Sequence, residues 1–262
     1  MLAASRLAAS HENVDKQSLQ SHDLNMRSNL AESPRPDTRD AIRDAAEELF
    51  AENGISGVST RAIAQRAGAN LAAVNYHFGN KEKLTLEIFR DVAHRTATQR
   101  LASLDRLEAQ ARTEGRTPRI VDLVESFVAA YTDEDDPRTG RLLAHFVVKH
   151  RYSPNEWTNA IVHEELDALA LRFIGAIQIA APHLTKAEAH WRYHLMVGTL
   201  QMMLTDEGPS GRIARLSDGD CDTTDRREMR AQIIAFLTAA LADTGADARA
   251  DADGTAGRAA TT

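Results

Sequence analysis

The chain has 262 residues, 43% of them apolar and 26% charged, with a formal net charge of −7 at pH 7, so one large core or two smaller ones are within its reach. Its single cysteine, Cys221 in the polar run LSDGDCDTTD, excludes an internal disulfide and removes any need for an oxidising compartment. The opening MLAASRLAAS lacks an apolar leader core, and no apolar run approaches the roughly 18 residues that cross a bilayer, so no membrane partner is expected and the expected location is the cytoplasm.

Residues 1–36 are polar, poor in aromatics and closed by SPRPD, and residues 244–262 are mostly Ala, Asp, Gly and Thr. Neither segment can bury enough apolar surface to offset the entropy of ordering, so both are expected to be disordered. Met26 lies inside the first of them and is an alternative start.

From Asp37, a cap candidate, the run TRDAIRDAAEELFAEN places Ile42, Ala45, Ala46, Leu49 and Phe50 on one helical stripe that Gly54 ends. Ser59 then caps a short helix, TRAIAQRA, which Gly68 terminates, and a second short helix follows over 71–78. Two short helices joined by a tight glycine turn after a longer one suggest a helix-turn-helix. Ala64 is small where the helices must cross, Gly68 supplies a turn conformation other residues resist, and Val74 fills the space beneath the second helix.

Asn80 is a cap candidate for a long helix over 81–109. Four further helices are expected over 118–132, 139–151, 155–181 and 185–206, and a last one over 224–242. The spacing therefore predicts an all-α chain of nine helices.

The segment STRAIAQRAGANLAAVNYHFGNKEKL resembles the DNA-binding domain of TetR-family transcriptional regulators, above all in YHF with a lysine three residues on. NLAAVNYHFG with the downstream WRYHLMVG is similar to the PsrA group, which includes fatty-acid-responsive repressors. The resemblance implies a helix-turn-helix domain over 37–84, an effector-binding and dimerisation domain over 85–243, double-stranded DNA and a second copy of the chain as partners, and a small apolar effector such as a fatty acid or acyl-CoA. Repression is the family's usual mode.

Residues 53–81 contain no carboxylate in an otherwise acidic chain, as a surface facing phosphates requires. The resemblance implies that Thr60, Arg61, Tyr76, His77 and Lys81 meet the DNA backbone, with the capping Ser59 beside them. Base reading is expected from Leu71, Ala72, Ala73 and Asn75, where an amide could pair with an adenine edge and small side chains could meet thymine methyl groups. Many family members carry tyrosine at the position of Asn75, which favours a base contact there. Arg66 reads as a solvated charge.

The helix over 185–206 is apolar nearly all round and must be covered on both sides. The resemblance favours its pairing with 224–242 and their two-fold mates, with Trp191, Leu195, Gly198, Met202, Ile233 and Leu237 at the interface. The remaining helices would enclose the effector, with Phe89, Thr96, Phe127, Tyr131, His145, Phe146, Phe173 and Ile177 as the candidate wall.

His190 and His194 stand four apart on one helix face, but no third ligand follows in a recognisable motif, so no metal and no cofactor are expected. Adjacent Glu164 and Glu165 diverge on a helix and do not make an acid/base pair, and no nucleophile elbow or phosphate-cradling loop is present, so no catalytic residue is assigned. Two rivals remain at this point: a DNA-binding regulator controlled by a protein partner, and a helical metal- or cofactor-binding enzyme.

Overall fold

Helix follows helix through residues 38–133, 135–206 and 211–243, which the computed structural model describes, with no strand among them. The expected disordered arms at 1–36 and 244–262, and the Asp37 cap, lie outside the described residues.

Helix α1 (Thr38–Gly57) buries Ile42, Ala45, Ala46, Leu49 and Phe50. Its regular path breaks at Gly54, whose φ of 68° and ψ of 161° belong to a region open only to glycine, so the expected end is a kink and the chain turns on to Gly57. Helices α2 (Thr60–Arg66) and α3 (Leu71–Phe78) pack on each other, and α4 (Lys81–Thr113) follows directly. At 33 residues, α4 is about 50 Å long. Its first turns lie against α3 and the remainder forms the spine of the body.

Around that spine stand α5 (Ile120–Ala129) and α6 (Pro137–Tyr152). The helix expected over 155–181 follows as α7 (Glu156–Ile161), a π-helical turn (Val162–Leu166) and α8 (Asp167–Ala180) without a gap. The wider turn lies against α4, with Glu164 on Arg90 and Glu165 on His94 at 2.8 Å. Glu165 also lies 3.7 Å from Arg90, so the adjacent glutamates, expected to diverge on an α-helix, both face α4 from the π-helical turn.

Helix α9 (Lys186–Thr205) packs against α6, α8 and α11 (Arg226–Ala242), and α11 covers α5. Between the last two, α10 (Arg212–Leu216) is a short helix the sequence pattern did not indicate. Asp206, six residues upstream, accepts from the amides of Arg212 and Ile213 at 2.8 and 3.0 Å, so its start is capped from outside the local window.

Buried apolar residues form one continuous cluster from Ile42 to Leu241. Where α6 begins, it crosses the end of α5 so closely that a Cβ on Gly140 would lie 2.3 Å from the Tyr131 carbonyl oxygen. Charges also tie α1 to α4: Glu47 sits 3.4 Å from Arg95 and 3.9 Å from Arg43, while Asp91 meets both arginines. Burial raises the Glu47 carboxyl above its ordinary range, against the pull of Arg95 and Arg43, so desolvation outweighs the ion pairs there.

Candidate nucleic-acid interface

The reading head is assembled by three side-chain caps. Ser59 Oγ accepts from the Ala62 amide at 3.1 Å, Asn70 Oδ1 from Ala73 at 2.8 Å and Asn80 Oδ1 from Lys83 at 2.8 Å, starting α2, α3 and α4 in turn. Gly68 holds the turn between α2 and α3 at φ 63°, and the Ala69 amide returns to the Ala64 carbonyl at 2.9 Å. Ala64 and Val74 are buried at the crossing, as their sizes predicted.

Burial of Val74 and Phe78 decides which face of α3 is left outside. Leu71 is 45% and Tyr76 86% exposed, and Ala72 and Asn75 are exposed beside them, one helical face at spacings of one and four. Ala73 is half-buried against the core, which places it at the edge of the face rather than on it. The half-buried His77 ring meets Tyr76 edge to face at 5.1 Å.

The three cations of the carboxylate-free stretch have different surroundings. Arg66 pairs with Glu48 at 3.1 Å and Glu52 at 3.6 Å, so its charge is neutralised on the head itself. Lys81 turns inward: its ammonium donates to the Ile55 carbonyl at 2.7 Å and lies 5.8 Å from the centre of the Phe50 ring. Desolvation, then Lys149, lowers its pKa. The expected phosphate contact at Lys81 is therefore a brace between the kink of α1 and the start of α4 in this conformation. Arg61 stays exposed at the start of α2, next to half-buried Thr60.

The candidate effector wall separates into two places. Phe89 and Phe146 stack at 4.9 Å and line a cleft of about 520 Å³ with Ile55, Lys81, Thr85, Lys149 and His150, where head and body meet. His145 lines a neighbouring groove and faces Gly54; burial, then Arg141, lowers its pKa. Phe127, Tyr131 and Phe173 instead gather in the centre of the body with Tyr193. Thr96 and Ile177 are fully buried. At that centre the structure adds Arg100, 2% exposed and 4.3 Å from the Phe127 ring centre, which the sequence reading passed over. Its signal was an arginine in register with the apolar positions Ala93, Ala97 and Leu104 of α4.

On α9 the expected two-sidedness is present. Ala189, Tyr193, Met196, Leu200 and Leu204 are buried, while Trp191, Leu195 and Met202 are 71%, 65% and 66% exposed in line with exposed Gly198. Ile233 and Leu237, expected at an interface, are instead 2% and 1% exposed and belong to the chain's own core, because α11 packs against α5 and α9. Phe236, 61% exposed, is the large apolar group that α11 offers outward.

His190 and His194 each place Nδ1 on the carbonyl four residues earlier, at 2.8 and 2.9 Å, and among the described residues no group of three or more His, Cys, Asp or Glu could hold a metal ion. Cys221 is exposed. No helix among the described residues is long and apolar enough to cross a membrane.

Residues 42–88 match the family described as bacterial regulatory proteins, tetR family, and residues 123–240 match the tetracyclin repressor-like C-terminal domain. The HTH-type transcriptional repressor AcnR of Corynebacterium efficiens is 38% identical over 60 residues, 23% of this chain and 32% of its own length. RaaS of Mycobacterium tuberculosis, an HTH-type transcriptional regulatory protein, is 37% identical over 91 residues, 32% of this chain and 42% of its own. The dual regulator CecR of Shigella flexneri is 29% identical over 152 residues, 56% of this chain and 61% of its own. The chain thus matches between a third and three fifths of the length of these relatives. In fold it is similar to a transcriptional regulator from Rhodococcus sp. Rha1, with a TM-score of 0.50 and 22% identity over 76% of this chain and 95% of that one. With a capped helix-turn-helix at one end, a helical body behind it and both parts matched, the chain belongs to the TetR family of helix-turn-helix transcriptional regulators, DNA-binding proteins rather than enzymes.

Proposed function

We propose that the protein is a homodimeric repressor whose two α3 helices read a palindromic operator and which a small apolar effector, such as a fatty acid or acyl-CoA, releases from DNA. Residues 37–84 would be the reading head and 85–243 the effector-binding and dimerisation body, working in the cytoplasm. The observation that carries the reading is the outward face of α3, where Leu71, Ala72, Asn75 and Tyr76 stand exposed on a head free of carboxylates from 53 to 81. One such helix covers only a few base pairs, so specificity needs a second copy two-fold related to the first. The stripe of Trp191, Leu195, Gly198 and Met202 supports α9 as the surface that brings the copies together.

Release would follow from the shared spine. Because α4 begins under the reading helix and continues into the body, a ligand that favours one tilt of α4 changes the separation of the two α3 helices, by no more than its differential affinity for the two states. The Lys81 to Ile55 brace sits where that tilt would be felt.

The test is fluorescence-anisotropy titration against duplexes tiled from the upstream region of the protein's own gene, at two salt concentrations, with no ligand, with a long-chain fatty acid and with its acyl-CoA. Palindrome-specific binding released by at least one of the two is expected. Binding that ignores both would refute the effector, and no specific binding to any tile would refute control of its own gene. On the cognate duplex, Asn75→Ala should cost about 1–3 kcal/mol while random DNA binding barely changes, and equal loss on both would refute base reading.

A further inference from the structure

The centre of the body holds a cation with no carboxylate paired to it among the described residues. Arg100 on α4 is 2% exposed, with ring centres at 4.3 Å (Phe127), 4.9 Å (Phe173) and 5.1 Å (Tyr131). Its Nη1 donates to the Tyr131 hydroxyl at 3.2 Å and the Tyr193 hydroxyl stands beside the guanidinium, while Nε and Nη2 have no well-formed hydrogen bond among the described residues. One turn earlier on the same face, the hydroxyl of Thr96 is also buried without a partner.

A guanidinium keeps its charge inside a protein, and burying it without a counter-ion is strongly unfavourable. The aromatic rings offset part of that cost. Tyr193 does not supply a negative charge, since burial pushes its hydroxyl up to about 12 and Arg100 only opposes the shift. What remains open on Arg100 is specific in shape. Nε–H and one Nη–H project side by side in the guanidinium plane, the fork that a carboxylate takes with both oxygens. The same chain shows the arrangement at its surface, where Arg119 Nε and Nη2 hold Asp122 at 2.9 and 2.5 Å.

We propose that Arg100 is the anchor for an effector carboxylate, held bidentately by Nε and Nη2 with the Thr96 hydroxyl as a further donor, so that the effector is an organic acid rather than a neutral lipid or thioester. The proposal rests on the reading of the protein as effector-released. Phe127 packs on Phe173 and Tyr193 at 5.4 and 5.8 Å, so the apolar part of the acid enters by separating these rings. Pairing at Arg100 couples the acid to α4, the helix that starts under α3.

The experiment uses the full chain and two readouts, melting temperature and affinity for its operator duplex. Octanoate, dodecanoate and benzoate are compared with octanol, dodecanol, benzyl alcohol and dodecanoyl-CoA, on wild type, Arg100→Lys and Arg100→Met. At least one acid is expected to bind about tenfold or more tightly than its alcohol, and dodecanoyl-CoA, lacking the carboxylate, to behave as the alcohol does. Arg100→Met should melt no lower than wild type without ligand, since it removes an uncompensated buried charge, and should lose the response to the acid. Arg100→Lys, charged but without the fork, should be weakened by about tenfold. Acids and alcohols acting alike on wild type, or an acid response kept by Arg100→Met, would overturn the anchor and leave effector release standing. Silence of every compound in both readouts would overturn effector release and the anchor with it. If Arg100→Met fails to fold, the acid-to-alcohol ratio on wild type and the Arg100→Lys loss decide the matter.

Discussion

Gly140→Ala should be among the most damaging single-methyl additions in this protein, although alanine is the better helix former. The new Cβ would lie 2.3, 2.6 and 2.7 Å from the carbonyl oxygen, Cα and carbonyl carbon of Tyr131, whereas real Cβ atoms do not come within about 3.0 Å of such neighbours. The obstacle is backbone, so α6 must move away from the end of α5 by roughly 0.7 Å or more. That displaces Leu142, Leu143, Ala144 and Phe146, all buried. Overpacking costs about 1–3 kcal/mol, and a fixed backbone obstacle places this case at the upper end. Against it stands a helix-propensity gain of at most about 1 kcal/mol, leaving a net loss of about 2 kcal/mol. For a domain of this size that is a fall of about 4–8 °C in melting temperature. Gly175→Ala on α8 is the control, because nothing lies within 4 Å of its would-be Cβ. There the same methyl should stabilise by about 0.5–1 kcal/mol. Circular dichroism melts of both variants beside wild type test the pair. Equal melting temperatures, or a more stable Gly140→Ala, would refute the close crossing of α5 and α6.

Other outcomes follow from the head, the joint and the outer face. Arg61→Ala should reduce the slope of log affinity against log salt by about 1, while Lys81→Met should leave the slope unchanged, because its ammonium is engaged at Ile55; the reverse pattern would return Lys81 to the phosphates. Glu47 has a folded pKa raised above 4.5, so its ionised form costs stability that is absent below the unfolded pKa and fully present above the folded one. Glu47→Gln should therefore gain on wild type as pH rises from about 4.5 toward neutrality, and a melting-temperature difference that is flat or falls over that window would contradict the burial argument. Trp191→Glu with Leu195→Glu should give a folded monomer at micromolar concentration by sedimentation, with operator affinity reduced about 100-fold or more through loss of the second reading helix. A dimer that survives both charges would place the interface elsewhere.

Local pattern alone determined the helix-turn-helix. Caps at Ser59 and Asn80, the glycine turn at Gly68 and the small or apolar Ala64 and Val74 act within a few residues, so their chemistry is written in adjacent letters. Most of the other helices were legible for the same reason, since a period of three to four reports which face is buried. That period does not say what buries it. Ile233 and Leu237 carry the same signal as Trp191 and Leu195, yet the packing of α11 on α5 and α9 makes the first pair core while the second pair stays outside. Lys81 likewise reads as a free cation until the kink at Gly54 brings the Ile55 carbonyl to it. The separation of the candidate wall into a cleft at the joint and an aromatic centre was decided by tertiary structure, as were the burial of Arg100 among rings from α5 and α8 and the passage of α6 across Tyr131 at Gly140. Each joins residues tens of positions apart, and the energy of a contact depends on distance in space, which periodicity along the chain does not encode.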